Sequence, residues 1–86
     1  MRQEPEHFGD QDLTLIYIAK RLKEAQALEA LLTQSTIDYL VEPDRYLGGT
    51  LFRRELVGAF FYITPEDEEQ ARRQMSAGGF KPWEPE

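Results

Sequence analysis

Leu56-Val57-Gly58-Ala59-Phe60-Phe61-Tyr62-Ile63-Thr64-Pro65-Glu66-Asp67 decides the fold. From Leu56 to Ile63 nearly every side chain is apolar or small, so both faces of the segment suit burial. That pattern marks a central strand rather than an edge. The chemistry then changes abruptly. Thr64 suits an N-cap, Pro65 the first helical position, and Asp67 follows three residues after the cap. The stretch predicts a buried strand running straight into a helix over 65–75. Ala71 and Met75 face inward, and Gly78-Gly79 ends the helix.

The segments on either side fit around this unit. Leu13 to Ala19 is β-branched, aromatic and apolar on both faces, a second central strand. Lys20 to Gln34 carries Leu22, Ala25, Leu28, Leu31 and Leu32 at helical spacing, one apolar stripe. Ser35-Thr36 closes that helix without a residue suited to the left-handed region. In Ile37 to Tyr46, Ile37, Tyr39 and Val41 alternate with Asp38, Leu40 and Glu42. Pro43 removes a donor, as an edge strand allows. Gly48-Gly49 signals a two-residue hairpin pairing Leu47 with Thr50. This register sets Asp44 opposite Arg53 but also Glu42 opposite Glu55, a repulsion that a bulge near Pro43 would relieve. Residues 44–56 then outrun the first strand by about six residues, or ~20 Å, and project beyond the sheet. Phe80-Lys81-Pro82-Trp83 reads as a short last strand.

The order strand, helix, strand, strand, helix, strand is that of an α+β ferredoxin-like βαββαβ sandwich. Its sheet order is 4-1-3-2, with two helices on one face. Residues 13–83 form this one domain, between an N-terminal tail, 1–12, and a C-terminal tail, 84–86. Phe8 is the residue of the first tail suited to anchoring it.

Composition sets limits. Eighty-six residues allow one domain that buries roughly 64% of its extended-chain surface. With no cysteine, neither disulfides nor thiolate chemistry are available. No window offers the ~18 apolar residues of a membrane span, and the polar start is no signal peptide, so a cytoplasmic protein is expected. Of sixteen acids and ten bases, residues 1–12 hold four and one and residues 81–86 two and one, leaving ten and eight in the body. An acidic chain makes a poor nucleic-acid surface.

Lys20, Arg21 and Lys23 open the first helix, where cations oppose the helix dipole. They would either hold an anion or be neutralised. With the first and third strands as parallel neighbours, both helices start at one end of the sheet. Glu66, Asp67, Glu68 and Glu69 then neutralise the trio, which is the expectation. The register above turns Ile37, Tyr39, Val41, Phe60 and Tyr62 toward the helices. It leaves Leu40, Val57, Ala59, Phe61 and Ile63 on an open apolar face, an interface for a homodimer unless the tails fold over it. Leu40, Val57, Ala59 and Phe61 are the interface candidates. RNA-recognition domains share the topology, but their exposed stacking positions would fall here on Val57 and Ala59, with Glu55 at the basic position. No metal set or cofactor is indicated, and His7 stands alone.

Tyr17-Ile18-Ala19 before Glu24-Ala25, Leu31-Leu32 before Ile37, Gly48-Gly49, Val57 to Tyr62, Pro65-Glu66-Asp67 with Ala71, and Gly79 to Pro82 resemble a small prokaryotic family of signal-transducing proteins of unknown function. The resemblance spans residues 13–82. It implies a ferredoxin-like domain akin to nitrogen-regulatory PII-like proteins, and regulation or binding rather than a reaction. The expectation is a non-enzymatic module for signal transduction. It would meet a protein partner or small ligand through the 44–56 hairpin, at Tyr46, Leu47, Gly48, Gly49, Arg53 and Arg54, and through the open face. The alternative is a small dimeric α+β barrel enzyme acting on a hydrophobic substrate in a cleft bearing Tyr39, Tyr62, Arg53, Arg54 and Glu55.

Overall fold

Three antiparallel strands and two long helices make up the body of this computed structural model, which describes residues 1–49 and 53–84. The elements are a four-residue turn of helix α1 (Pro5–Phe8), strand β1 (Thr14–Ala19), helix α2 (Leu22–Gln34), strands β2 (Leu40–Gly48) and β3 (Arg54–Ile63), a 3-10 turn (Pro65–Asp67), and helix α3 (Glu68–Ala77). The sheet order is β1-β3-β2. The most apolar strand is thus central, as its composition requires.

No fourth strand forms among the described residues. Trp83 N–H donates to the Ile16 carbonyl at 2.7 Å, which sets residues 80–84 beside β1, where the fourth strand was expected. Pro82 has no N–H to continue a ladder, so the contact stays single. Phe80 meets the Tyr17 ring edge-on at 5.6 Å. Arg72 holds the segment through Glu84 and the Trp83 carbonyl, each at 3.4 Å.

The β2–β3 register corrects the sequence reading. Gly48 pairs with Arg54, Tyr46 with Leu56, Asp44 with Gly58 and Val41 with Phe61. The Gly48-Gly49 two-residue turn is therefore not formed: Gly48 ends β2, and Gly49 takes φ 114° in the longer connection. Thr50, the expected partner of Leu47, lies outside the described residues, as do Leu51 and Phe52. The observed register sets Glu42 opposite Phe60 instead of Glu55, which removes the like-charge pair. It runs unbroken through Pro43; the irregularity falls in β1, between Leu15 and Tyr17.

An odd shift in register turns β3 over. Ile37, Tyr39 and Val41 face the helices as expected, but Phe61 and Ile63 join them there, not Phe60 and Tyr62. Phe61 and Ile63 are 0% exposed, so Phe61 is a core residue and not an open-face contact. Chemistry favours this side: a fully buried face accepts Phe and Ile at no polar cost, whereas the Tyr62 hydroxyl would need a partner. Tyr39, which does sit in that core, stacks on Phe61 at 5.9 Å and directs its hydroxyl to Glu29 Oε1 at 3.1 Å. Ile16, Ala25, Leu28, Leu32, Ala71 and Met75 complete the layer.

Among the described residues only three buried apolar side chains lie outside it: Phe8, Leu40 and Phe60. By alternation Leu40 and Phe60 point away from the helices. The segment carrying Phe8 is fixed at that edge of the sheet, since Gln3 N–H donates to the Tyr39 carbonyl at 2.9 Å and His7 Nε2 lies 3.3 Å from Asp38 Oδ2. Phe8 thus anchors the N-terminal segment. Leu40, expected at an interface, is only 7% exposed within the single chain.

Two helix ends reveal local chemistry. At the start of α3 the Thr64 hydroxyl approaches the Asp67 carboxylate at 3.3 Å rather than a backbone N–H. At the end of α2 Thr36 takes φ 57°. Its N–H reaches the Thr33 carbonyl at 3.1 Å and the Ile37 N–H reaches Leu32 at 3.0 Å, the paired bonds of a Schellman end without its usual glycine.

A cleft with an apolar floor and a basic rim

β1 pairs with β3 antiparallel and ends at Ala19, opposite Ala59. β2 and β3 go on alone through the Asp44–Gly58 pair to Gly48–Arg54. Arg54–Gly58 of β3 therefore run past β1, about 16 Å at strand rise. The chain leaves β1 through Lys20 and Arg21 and turns into α2 on the helix side. Between the first turn of α2 and the overhanging hairpin lies a cavity of about 400 Å³.

Its floor comes from alternation. Val41, Pro43, Val57 and Ala59 point to the helix side, while Leu22 and Ala25 close the opposite wall. Gly58 sits where a side chain would collide: a Cβ there would lie 3.1 Å from the Ala19 carbonyl and 3.0 Å from the Tyr46 ring. Leu22, expected in the buried stripe, is 73% exposed, and Val57 is 67% exposed. Both are open because nothing among the described residues packs over the first turn of α2 where the sheet has narrowed to a hairpin. They are two of the five large apolar side chains exposed among the described residues, and both border this cleft.

Arg2, Lys20 and Arg21 form the rim, and among the described residues no acid lines the cavity. The expected neutralisation by Glu66, Asp67, Glu68 and Glu69 does not occur. Because β1 and β3 are antiparallel rather than parallel, α2 and α3 start at opposite ends of the sheet. Ala59 and Ile63 mark those ends, about 13 Å apart at strand rise, beyond the ~8 Å screening length of physiological salt. Glu68 and Glu69 pair instead with Arg72 and Arg73 on their own helix, at 2.9 and 3.9 Å. Among the described residues Lys20, Arg21 and Lys23 make no ion pair. Arg2 lies 3.7 Å from Glu29. The Lys20 ammonium rests 5.4 Å from the Tyr46 ring centre.

No protein-family model, curated protein or solved structure matches this chain.

The hairpin residues named from sequence do not form one surface. Tyr46, Gly48 and Arg54 share the face away from the helices, whereas Leu47, paired with Glu55, is on the other. Arg53 and Arg54 are exposed, and the hairpin's own ion pair is Arg45–Glu55, at 3.3 Å. Val57 and Ala59, expected on the open face, lie on the helix side and form the cleft floor. The sequence reading missed Arg2, Leu22, Ala25, Val41 and Pro43 as cleft residues. The available signal was the uncompensated Lys20-Arg21 pair, discounted on the wrong strand direction.

The open face also needs revising. Its β3 residues are Leu56, Gly58, Phe60 and Tyr62, so two aromatics stand where Val57 and Ala59 were expected. Phe60 is 8% exposed. Burial, then the charges of Asp44 and Glu42, raises the Tyr62 phenol above its ordinary value. A base stacked there would bring its phosphate against those two carboxylates. Tyr39 and Tyr62, expected in one enzymatic cleft, lie on opposite faces. Among the described residues no group of three or more His, Cys, Asp or Glu is placed to hold a metal. None of the helices there is long and apolar enough to cross a membrane.

Proposed function

We propose that the chain is a non-enzymatic regulatory or interaction module that takes a ligand or partner segment in the cleft beneath its projecting hairpin. One observation carries this reading: an apolar cavity of about 400 Å³ is bordered by Arg2, Lys20 and Arg21 and, among the described residues, by no acid, in a chain of net charge -6. Concave, largely apolar sites with a few polar groups are where small ligands bind. Among the described residues the lining holds no carboxylate, histidine, hydroxyl or thiol, which favours binding over catalysis. We also read the fold as a ferredoxin-like sandwich whose last strand is reduced to one backbone bond. That keeps the expected order, with residues 80–84 in the fourth position, and fits a signalling role of the PII-like kind. Self-association through the open face has less apolar surface to use, because Leu40 and Phe60 are already buried.

The test is a fragment screen followed by amide chemical shifts, on the wild type and on Val57→Glu. Val57 is two-thirds exposed, so the variant keeps the fold, which circular dichroism verifies. The expected hits move residues 19–25 and 57–59 and are lost in Val57→Glu. Hits that ignore the substitution would overturn the assignment.

A further inference from the structure

From the chemistry of the rim and floor we infer the ligand class: a small amphipathic monocarboxylate, an acyl or aryl body ending in one carboxylate. This rests on the cleft being the binding site. Val41, Val57 and Ala59 offer the body a surface that holds no hydrogen-bonding side chain, so a sugar or a nucleoside would lose its water contacts without replacement. The head faces different chemistry. Arg21 stands at one end of the cavity and is not paired with an acid among the described residues, while the neighbouring Lys20 turns its ammonium to the Tyr46 ring. A guanidinium matches a carboxylate with two parallel hydrogen bonds.

Charge sorts the alternatives. A cationic amphiphile would meet the rim with repulsion. A bare small anion would find attraction but leave the apolar floor wet. A neutral amphiphile would gain only the floor. The carboxylate with an apolar body is the species that uses both halves. A multiply charged anion such as a nucleotide would carry much of its charge past the rim onto Val57 and Pro43. The cavity volume falls within the range of roughly 300–1,000 Å³ typical of small-molecule sites, and it favours a short body over a long lipid chain.

Octanoate, octanol and acetate form the test set, titrated into the full-length protein and followed by amide chemical shifts. The expected result is saturable movement of residues 19–25 and 57–59 with octanoate. Octanol binds there at least about tenfold more weakly, the worth of one charge-assisted contact, and acetate produces no localised shifts. Arg21→Gln, an exposed position, weakens octanoate by about tenfold and leaves octanol unchanged. If octanol binds as tightly as octanoate, or Arg21→Gln has no effect, the carboxylate assignment falls while the cleft stands as an apolar site. If neither octanoate nor octanol moves these residues, the cleft reading fails, and this inference with it. Sedimentation with phosphatidylglycerol vesicles combined with no response to free octanoate would also overturn it, in favour of a lipid surface.

Discussion

Thr36→Gly should stabilise this protein, and the size of the gain follows from one dihedral. Thr36 takes φ 57° just after α2, a left-handed conformation that costs an L-residue roughly 1–2 kcal/mol. A β-branched side chain sits at the unfavourable end of that range. Glycine removes the penalty but adds unfolded-chain entropy of about 0.5–1 kcal/mol. It also loses the exposed bond from the Thr36 hydroxyl to the Ser35 carbonyl, at 2.6 Å, which is worth a few tenths of a kcal/mol in water. The net gain is about 0.5 kcal/mol, or roughly 2–4 °C in Tm for a domain of this size. The paired bonds from Thr36 and Ile37 to α2 are backbone bonds, so glycine keeps them. Thr36→Ala is the control. It keeps most of the left-handed penalty and should stay within about 0.3 kcal/mol of wild type. Urea unfolding followed by far-UV circular dichroism measures all three. If Thr36→Gly proves no more stable than Thr36→Ala, the residue is not held left-handed and the account of the α2 end is wrong.

Three further outcomes follow from the packing. Phe61→Ala should cost about 3–5 kcal/mol, as for a large aromatic removed from a closed core, whereas Val57→Ala should cost less than about 0.5; similar urea midpoints for the two would restore the opposite face assignment for β3. Arg72→Ala should free residues 83–84 for less than about 1 kcal/mol of stability, since the lost contacts are partly exposed ion pairs; the protein's one tryptophan then shows red-shifted emission and easier acrylamide quenching, and an unchanged spectrum would mean that Arg72 does not hold the segment. The third concerns pH. The Tyr62 phenol is raised above 10.0, first by burial and then by Asp44 and Glu42, so the folded state binds its proton more tightly than the unfolded chain. Its stabilising contribution is complete below the unfolded value and is lost as pH rises through the folded one. Tyr62→Phe should therefore lose less stability than wild type between about pH 9 and 11, and parallel denaturation midpoints would refute the shift.

The sequence alone determined three strands, two long helices and their neighbours, but neither the α1 turn nor the reduction of the expected fourth strand to one backbone bond. Thr64-Pro65 marked a helix start, the spacing of Ala25, Leu28 and Leu32 marked a buried stripe, and the apolar run from Leu56 to Ile63 marked a central strand. These are local signals, read within one or two turns of chain. The strand order 1-3-2 followed from the order of strands and helices along the chain, with the most apolar strand in the centre; β1, expected to be central as well, is an edge strand among the described residues. The projecting hairpin followed from the unequal lengths of the first strand and of the two after it.

Only the tertiary structure decided which way β3 faces and where the charges meet. Alternation cannot choose a side when Phe60 and Phe61 are both apolar; the choice depends on partners dozens of residues away, on Tyr39 stacking over Phe61 and on the cost of burying the Tyr62 hydroxyl. Strand direction is equally non-local. Once β1 and β3 proved antiparallel, Lys20 and Arg21 were left beyond the screening length from Glu66 to Glu69. The cleft exists for the same reason: its floor, wall and rim come from the N-terminal segment, the β1–α2 junction and both hairpin strands. Such residues carry no common spacing along the chain, because what joins them is the sheet register, and register is fixed by the packing of the whole.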